Sequence, residues 1–463
     1  MAVELAVEDP PRVERQRASF VLLGAVQIVL IATITVITVA LPAIQRELRL
    51  TEAEMVFAIS AYSLSFGGLL MLGGRLADLF GHRRVFVAGV LVFGLASAAA
   101  AASPSLWVLV LARFAQGVGA AGAAPAAMAL LGSVFPEPVE RGRALAVWGV
   151  LASIGASSGN ILSGVVLTWV SWRWIFVVPA VLAAVVVLLA PRVLPTGPGV
   201  RRERLDTVGA VLITAGLAAL IFGLGELRFG WIAAGAVLIA AFVLSQKVTA
   251  KPLVPLPFLA SPRRATALVA IALTAAGMAT YFFLLTLFFQ QVRGYSPIAT
   301  SGAFVPPALS VLLAATLAGR ALQRFRPGLV TAAGLGVSAL GLLILAGMEQ
   351  DTPYFGPLLA GLVIFPIGAG FTFSGATVWA VSDAPGHQAG LAGGVMNTAM
   401  EIGPPVGLAV LVPIATAHAA SLTGLTPGAA AAGGYGFAFA VAAAALAAVA
   451  VLALLQRGRA KQP

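Results

Sequence analysis

The chain is dominated by long, uninterrupted apolar runs rather than by the alternating or one-sided patterns of soluble strands and helices. An α-helix needs about 20 apolar residues to cross a bilayer. Fourteen runs approach or exceed that length, near 19–42, 55–73, 85–102, 106–133, 143–169, 174–190, 208–225, 230–246, 265–290, 298–319, 328–347, 355–380, 390–416 and 430–456. The pattern predicts an all-α integral membrane protein with fourteen transmembrane helices.

The composition excludes the main soluble classes. Hydrophobic residues make up 60% of the 463 residues and charged residues only 10%, against about 25% charged residues in ordinary soluble domains. So few charges cannot coat a soluble enzyme of this size, and so apolar a chain is not disordered. The net charge of +11 lies in a mostly apolar chain, so a nucleic-acid binder is not expected. The chain contains no cysteine, which excludes disulfides and thiolate metal sites.

The basic residues set the orientation. With the N-terminus in the cytoplasm, most of the 28 Lys and Arg residues fall in cytoplasmic segments, as the positive-inside rule requires. The outside segments hold only a few arginines: Arg46, Arg49, Arg173, Arg228 and Arg293. We therefore predict an even number of spans, with both termini in the cytoplasm.

A short basic loop is repeated in the two halves of the chain. Segment 74–85, after the second run, aligns without a gap to 319–330, after the tenth. Such repeats are typical of secondary transporters built from two homologous bundles. We expect six helices in each bundle, and runs 208–225 and 230–246 to form an inserted antiparallel pair. The predicted parts are a cytoplasmic N-tail (1–18), an N-terminal bundle (19–190), linkers with the inserted pair (191–264), a C-terminal bundle (265–456) and a cytoplasmic C-tail (457–463).

Three stretches carry a family resemblance. They are the loop Gly-Arg-Leu-Ala-Asp with its following Gly and Arg-Arg at 74–84, Arg-Phe-Ala-Gln-Gly-Val-Gly at 113–119, and the glycines of 155–164. In order and spacing these resemble the signature motifs of the major facilitator superfamily. With fourteen spans, the chain resembles its drug:proton antiporter family of that length. The resemblance implies alternating access between two bundles and no catalytic residues.

The loop motif contributes Gly74, Asp78, Gly81, Arg83 and Arg84. We expect Gly74 to let two helices approach closely, as small residues do in membranes. Asp78 lies beside two arginines, and a charge network there would lock the cytoplasmic side. The resemblance implies this gating role. The alternative is that these charges only sit at the interface and set the topology.

Arg113 lies inside the fourth apolar run, where a charge costs about 2.5–3.5 kcal/mol on insertion scales. Such a residue should face a cavity or a partner. The resemblance links it to proton transfer and substrate binding. The alternative is a structural anchor that bonds Gln116 or backbone carbonyl groups.

In the fifth run, Gly155, Gly159 and Gly164 form a helix-packing motif. The resemblance associates this motif with export. The sequence departs from the family's pattern at Asn160 and Ser163, which weakens that inference and places two hydrogen-bonding groups within the membrane.

The first run departs further, because the family's membrane aspartate is replaced by Thr33. Thr35 and Thr38 also form hydrogen bonds, but none of the three titrates. A carboxylate usually carries the proton in such antiporters, and Glu401 is the acid placed deepest by the sequence. We predict that Glu401, with Arg113, couples transport to protons. The alternative is that Glu401 lies in water at a helix end.

Polar and aromatic residues within the runs predict the substrate cavity, although bonding within the helix is the alternative for each Ser and Thr. They are Gln27, Thr33, Thr35, Thr38, Tyr62, Ser63, Asn160 and Ser163 in the first bundle, and Tyr281, Gln290, Thr372, Ser374, Trp379, Asn397 and Glu401 in the second. Apolar walls with a few polar groups suit amphipathic or aromatic substrates. Trp172 and Trp174 are expected in the interfacial aromatic belt.

The sequence has no phosphate-binding loop or hydrolase motif, and its three histidines are dispersed. We predict no enzyme activity, no metal and no cofactor, with a proton gradient as the energy source. The predicted function is proton-coupled export of lipophilic small molecules; an uncoupled uniporter or an importer is the alternative. The expected partners are membrane lipid and the small-molecule substrate, with no nucleic acid, in a monomer. The excess of Arg over Lys indicates a bacterial cell membrane.

Overall fold

The computed structural model describes residues 10–195, 206–226, 228–249, 252–254, 256–382 and 389–456. The described part is helical. The helices are α1 (Pro10–Leu48), α2 (Glu52–Phe80), α3 (His82–Ala101), α4 (Leu106–Val134), α5 (Pro138–Trp169), α6 (Trp174–Val193), α7 (Thr207–Gly225), α8 (Phe229–Val248), α9 (Leu256–Leu259), α10 (Pro262–Leu287), α11 (Pro297–Ala303), α12 (Val305–Arg324), α13 (Pro327–Ala346), α14 (Leu359–Val381), α15 (Ala389–Ser421) and α16 (Pro427–Leu455). Short π-helical segments, Phe288–Val292 and Tyr354–Leu358, extend α10 and precede α14.

The fourteen predicted runs coincide with helical segments to within about one residue, and the run 298–319 is divided between α11 and α12. Thirteen helical segments in the described residues are long and apolar enough to cross a membrane, and α5, with 32 residues, accounts for the remaining run. The all-α membrane fold predicted from the sequence is confirmed. The C-tail and parts of the predicted N-tail and linkers, at 1–9, 196–205 and 457–463, lie outside the described residues.

The N-terminal bundle is held together by close contacts of α4 with α2 and α3. A Cβ atom on Gly119 would lie 2.5 Å from the Gly89 oxygen, and one on Gly117 would lie 2.3 Å from the Tyr62 oxygen. Glycine at these positions lets the helix backbones touch, which is how membrane helices gain packing energy without a hydrophobic driving force between them.

The C-terminal bundle uses the same device at α13 and α14. A Cβ atom on Gly334 would lie 2.8 Å from the Gly368 oxygen, and one on Gly341 would lie 2.4 Å from the Phe365 nitrogen. Both bundles therefore pack helices backbone to backbone, as expected for the two related halves.

The inserted helices α7 and α8 form an antiparallel hairpin. A Cβ on Gly223 would lie 2.6 Å from the Ile232 nitrogen, and one on Gly216 would lie 3.1 Å from the Ile239 nitrogen. The pairing runs in opposite directions along the two helices, as predicted. Helix α7 packs against both α2 and α15, whereas α8 packs mainly against α7.

The two bundles pack on each other along α2 and α15, and they are also bonded together at the ends that the charge pattern assigns to the outside. On α5, a Cβ on Gly164 would lie 2.7 Å from the Pro297 oxygen of α11. Three hydrogen bonds also cross between the bundles there, from Gln290 to the Val39 oxygen (3.1 Å), from Gln291 to Gln45 (2.7 Å) and from Thr416 to Glu52 (2.9 Å). The outer side of the bundle interface is therefore closed in this structure.

Candidate functional site

Arg113 is completely buried in the N-terminal bundle and holds three helices together. Its Nε donates to the Ala58 oxygen of α2 (3.3 Å). Its Nη1 donates to the Thr33 oxygen of α1 (3.1 Å) and to Oε1 of Gln116 (3.4 Å). The guanidinium carbon also lies 4.9 Å from the centre of the Tyr62 ring. The helices thus replace the water that this cation loses on entering the membrane.

Gln116 continues this network to α3. Its Nε2 donates to the Ser97 hydroxyl (2.8 Å), which donates to the Phe93 oxygen (2.7 Å). The anchoring role considered for Arg113 is therefore observed. Its Nη2 atom nevertheless has no hydrogen-bond partner among the described residues, so the predicted role in transport stays a prediction.

We expect the substitution Arg113→Lys to destabilise the folded protein by about 2–3 kcal/mol, because hydrogen bonds to charged groups contribute about 1.5–3 kcal/mol each. A lysine ammonium cannot reach three helices in the planar arrangement of a guanidinium. The measurement is the thermal unfolding midpoint in detergent. The control is Arg192→Lys, at an exposed position near the end of α6, which should leave the midpoint unchanged. Equal midpoints for both variants would contradict the anchoring role.

Glu401 lies inside α15, beyond its first turns, on the side that faces α2. The helix begins at Ala389, so the alternative of a carboxylate at a helix end is wrong. A Cβ on Gly67 would lie 2.7 Å from the Cβ of Glu401, which places the acid directly at the boundary between the two bundles. Glu401 is partly exposed, and no hydrogen bond or ion pair to it occurs within the described part of the chain.

Two of the three threonines of the first span donate hydrogen bonds within their own helix, which is the alternative to lining the cavity. Thr33 is buried and donates to the Val29 oxygen (2.7 Å), and Thr35 donates to the Ala32 oxygen (3.3 Å). Thr38 is buried as well. The hydroxyl groups of Thr33 and Thr35 therefore already have partners in their own helix, and Thr33 does not replace the missing carboxylate.

Two tyrosines predicted to line the cavity are buried within separate bundles. Tyr62 donates to the Leu30 oxygen of α1 (2.9 Å), and Tyr281 donates to the Leu362 oxygen of α14 (2.9 Å). Both rings are fully buried. Each tyrosine therefore links two helices of one bundle through its hydroxyl group.

The remaining predicted cavity residues are dispersed. Gln27 is half-buried and Asn397 is exposed, whereas Ser163 is buried and its hydroxyl has no partner in the described structure. Trp379 is buried against Gly328. The side chain of Gln290 donates to the Val39 oxygen of the opposite bundle. The side chain of Asn160 lies outside the described residues.

A cavity of about 510 Å³ opens at the outer end, between α1 and the segment after α10. Of the predicted substrate-cavity residues, Gln290 belongs to its lining, together with Pro42, Arg46, Gln291, Tyr295 and Ser296.

The charge network predicted for the cytoplasmic loop is not formed among the residues that the structure describes. Asp78, whose side chain is 71% exposed, contacts His82 at 3.3 Å. Arg83 instead donates to the Leu194 oxygen (3.2 Å) just after α6, because carbonyl groups at a helix C-terminus attract cations. Arg84 is exposed. In this structure the bundles are bonded at the outer side, whereas the predicted lock would form at the cytoplasmic side. The gating role of this loop therefore stays a prediction.

Gly73 and Gly74, at the start of the loop motif, differ in how closely they approach α4. A Cβ on Gly73 would lie 1.9 Å from the Ala121 oxygen, whereas one on Gly74 would lie 3.7 Å from the Cβ of Pro125, an ordinary contact. The close approach predicted for Gly74 therefore belongs to Gly73, one residue earlier. Gly81 has φ of +92° in the turn between α2 and α3, a conformation that favours glycine.

The glycines of α5 divide between the bundles. A Cβ on Gly155 would lie 2.8 Å from the Ile28 oxygen, and one on Gly159 would lie 2.7 Å from the Ala32 oxygen. Both positions pack α5 on α1 of the same bundle. Only Gly164 of this motif approaches the opposite bundle, so the predicted packing face is observed but serves two different contacts.

Trp172 is not in an aromatic belt at the surface. It is 2% exposed and its Nε1 donates to Glu47 (2.6 Å), which also accepts from Arg173. The indole has an internal partner at the end of α1, so it packs inward. Trp174 is exposed, as expected for an interfacial residue.

Comparisons with known proteins agree with this architecture. Residues 23–408 match the family model of the Major Facilitator Superfamily. The chain is 37% identical over 433 residues to the puromycin resistance protein pur8 of Streptomyces alboniger, covering 90% of this chain and 85% of that protein. It is 37% identical over 394 residues to the cephamycin export protein CmcT of Amycolatopsis lactamdurans, covering 82% and 81%.

Two solved structures share the fold at low sequence identity. An auto-inhibited POT family peptide transporter superposes with a TM-score of 0.71 at 17% identity, over 97% of this chain and 98% of that chain. A bacterial homologue of the human lysosomal transporter Spinster, in an inward-facing and occupied conformation, gives 0.68 at 14% identity, over 95% and 96%. At such identities the likeness concerns the fold alone.

Proposed function

Since the chain belongs to the Major Facilitator Superfamily, we propose that it exports amphipathic or lipophilic antibiotics in exchange for protons, by alternating access between its two bundles. The observation that carries efflux is the similarity over most of the chain to proteins named for antibiotic export and resistance. The protein acts as a monomer in a bacterial cell membrane, with lipid and the small-molecule substrate as its partners. The energy comes from the proton gradient rather than from a bound cofactor.

The position of Glu401 supports proton coupling. This acid lies on the C-terminal bundle and packs against Gly67 of the N-terminal bundle. When the bundles rock, the surroundings of the carboxylate change from helix contact to open cavity. Since burial disfavours a charged carboxylate, the rocking motion alternately favours proton uptake and release. Arg113 supplies a fixed positive charge in the same membrane region.

An uncoupled uniporter or an importer is the second candidate, and Thr33 favours it. The residue that stands at the position of the family's membrane aspartate cannot titrate, and its hydroxyl is bonded to the Val29 oxygen. If Glu401 carries no proton, the described membrane interior offers no obvious substitute, and transport would follow the substrate gradient.

The test uses purified full-length protein in liposomes with an acidic lumen, and puromycin and ethidium as separate probes. We expect accumulation of at least one probe that collapses when the proton ionophore CCCP is added. Counterflow of labelled against unlabelled probe without a gradient, together with no response to the proton gradient, would favour the uniporter. The absence of both accumulation and counterflow for these probes would contradict export of this substrate class.

A further inference from the structure

Helix α7 of the inserted pair packs against α2 along most of its length. Near the outer end, the rings of Phe57 and Phe222 stack with centroids 5.2 Å apart. In the middle, a Cβ on Gly68 would lie 2.6 Å from the Thr214 hydroxyl oxygen. Near the cytoplasmic end, the buried Ala210 belongs to an apolar cluster that includes residues of α2. Because Gly68 receives the Thr214 side chain, sliding of one helix along the other would produce clashes.

The contact of α7 with α15 has a different character. It is formed by aliphatic side chains: Leu217 and Ile221 on α7 pack with Ile402, Val406 and Ala409 on α15, in a cluster that Leu64 of α2 also joins. Aliphatic contacts are non-directional and gain energy from area rather than from fixed geometry. Such a surface keeps most of its contact energy when the helices shift relative to each other.

Residues 252–254, which follow α8 on the cytoplasmic side, are held against the inserted pair by a buried polar cluster. Asp206, before α7, accepts hydrogen bonds from the backbone of Gly209 (2.8 Å), from Gln246 of α8 (2.7 Å) and from the Leu253 nitrogen (3.3 Å). Gln246 in turn accepts from the Val254 nitrogen (3.0 Å). Residues 252–254 are thereby fixed to the base of α7 and α8.

A few residues later the chain is fixed to the C-terminal bundle instead. Arg264 of α10 donates to the Phe258 oxygen (2.6 Å) and to the Ala380 oxygen of α14 (3.0 Å), and it stacks on the Phe258 ring at 3.9 Å. On the other side, Arg75 of α2 reaches the Pro252 oxygen (3.5 Å). Residues 252–254 therefore bond the inserted pair, whereas Phe258 bonds the C-terminal bundle.

We propose that α7 and α8 move as one rigid unit with the N-terminal bundle, while the aliphatic face of α7 slides on α15 and covers the α2/α15 seam beside Glu401. The inference rests on the alternating-access part of the proposed function. The inserted pair thus acts as a moving wall that excludes lipid chains from the seam.

The first test measures distances between spin labels in the full-length protein in lipid nanodiscs. Since the chain has no cysteine, each introduced cysteine gives a single label. Exposed outer positions suit this purpose: Ser105 for the N-terminal bundle, Glu226 for the inserted pair and Leu425 for the C-terminal bundle. Between neutral and acidic pH, we expect the 105–425 and 226–425 distances to shift together and the 105–226 distance to stay constant.

The outcomes separate this inference from the proposed function. A shifting 105–425 distance with a constant 226–425 distance would mean that the pair travels with the C-terminal bundle, which overturns the inference alone. A constant 105–425 distance would mean that the bundles do not rock, which overturns the proposed alternating access as well as the sliding of α7.

The second test uses disulfide cross-links. An ideal Cβ on Gly68 lies 3.3 Å from the Cβ of Thr214, close to the separation of about 3.5–4.5 Å in disulfides. We expect oxidised G68C/T214C to retain transport. The comparison pair is Q45C/Q291C, at two side chains that hydrogen-bond across the two bundles (2.7 Å). Cross-linked by a short bis-methanethiosulfonate reagent, it should lose at least nine-tenths of its transport and regain it on reduction. If oxidation reversibly stopped transport by G68C/T214C, the proposal would be overturned. If this variant does not fold, the spin-label distances test the proposal instead.

Discussion

Replacing Glu401 with glutamine is expected to abolish proton-driven accumulation of substrate, reducing it by at least about tenfold, because a carboxyl group that changes its charge within the membrane is what couples a proton to transport. Glutamine keeps the size of the side chain, so the packing of α15 against Gly67 is preserved. Accumulation is measured in liposomes with an acidic lumen. Glu349→Gln, which changes an exposed acid beyond α13, is the matched control and should transport normally.

The exchange reaction distinguishes coupling from substrate binding. We expect E401Q to retain counterflow of labelled against unlabelled probe, since that exchange needs no net proton movement. Full proton-driven accumulation by E401Q would show that another group carries the proton. Loss of counterflow as well, in a protein with an unchanged melting temperature, would assign Glu401 to substrate binding and contradict a role limited to coupling.

Replacing Gly73 with alanine is expected to prevent assembly of the N-terminal bundle, whereas Gly74→Ala should be tolerated. The added methyl group at residue 73 would lie 1.9 Å from a backbone oxygen of α4, and backbone cannot rotate away as a side chain can. Overpacking of a close contact typically costs about 1–3 kcal/mol, and we expect the upper end or more here. At residue 74 the methyl group only meets Pro125 at 3.7 Å.

Both variants differ from the native chain by one methyl group at adjacent positions, so each controls for the other. The measurement is the yield of monodisperse protein on size-exclusion chromatography, followed by the melting temperature. A well-folded G73A would contradict the backbone contact between α2 and α4. A folded but inactive G74A would indicate that Gly74 is needed in the other conformation of the transport cycle.

Several features were predictable because local sequence is sufficient to specify them. Lipid leaves a chain no hydrogen-bond partners but its own, so an apolar run of sufficient length must be helical; this is why the fourteen runs coincide with helical segments. The inserted hairpin was predictable from two apolar runs separated by only a few residues. The repeat of segment 74–85 indicated two related bundles.

Other features depend on which helices become neighbours, and no local pattern specifies that. Arg113 was recognisable as a charge within the membrane, but its partners are carbonyl groups of two other helices. The pair Gly73 and Gly74 looks equivalent in sequence, yet only Gly73 faces α4. The sequence around Trp172 is typical of a membrane-interface residue, but its indole is buried because it bonds Glu47 at the end of α1. Gln290, predicted to line a cavity, bonds the opposite bundle.

The sequence by itself therefore determined the class of fold, the positions of the apolar helices and the residues that are costly to place in a membrane, because transfer from water to lipid acts on each segment separately. The tertiary structure alone decided what those residues do. It placed Glu401 on the boundary between the bundles, showed Arg113 as an anchor and packed α7 against helices of both bundles. The reason is that helix packing in lipid depends on shape at contacts between distant segments, where one methyl group or one hydrogen bond selects the neighbour.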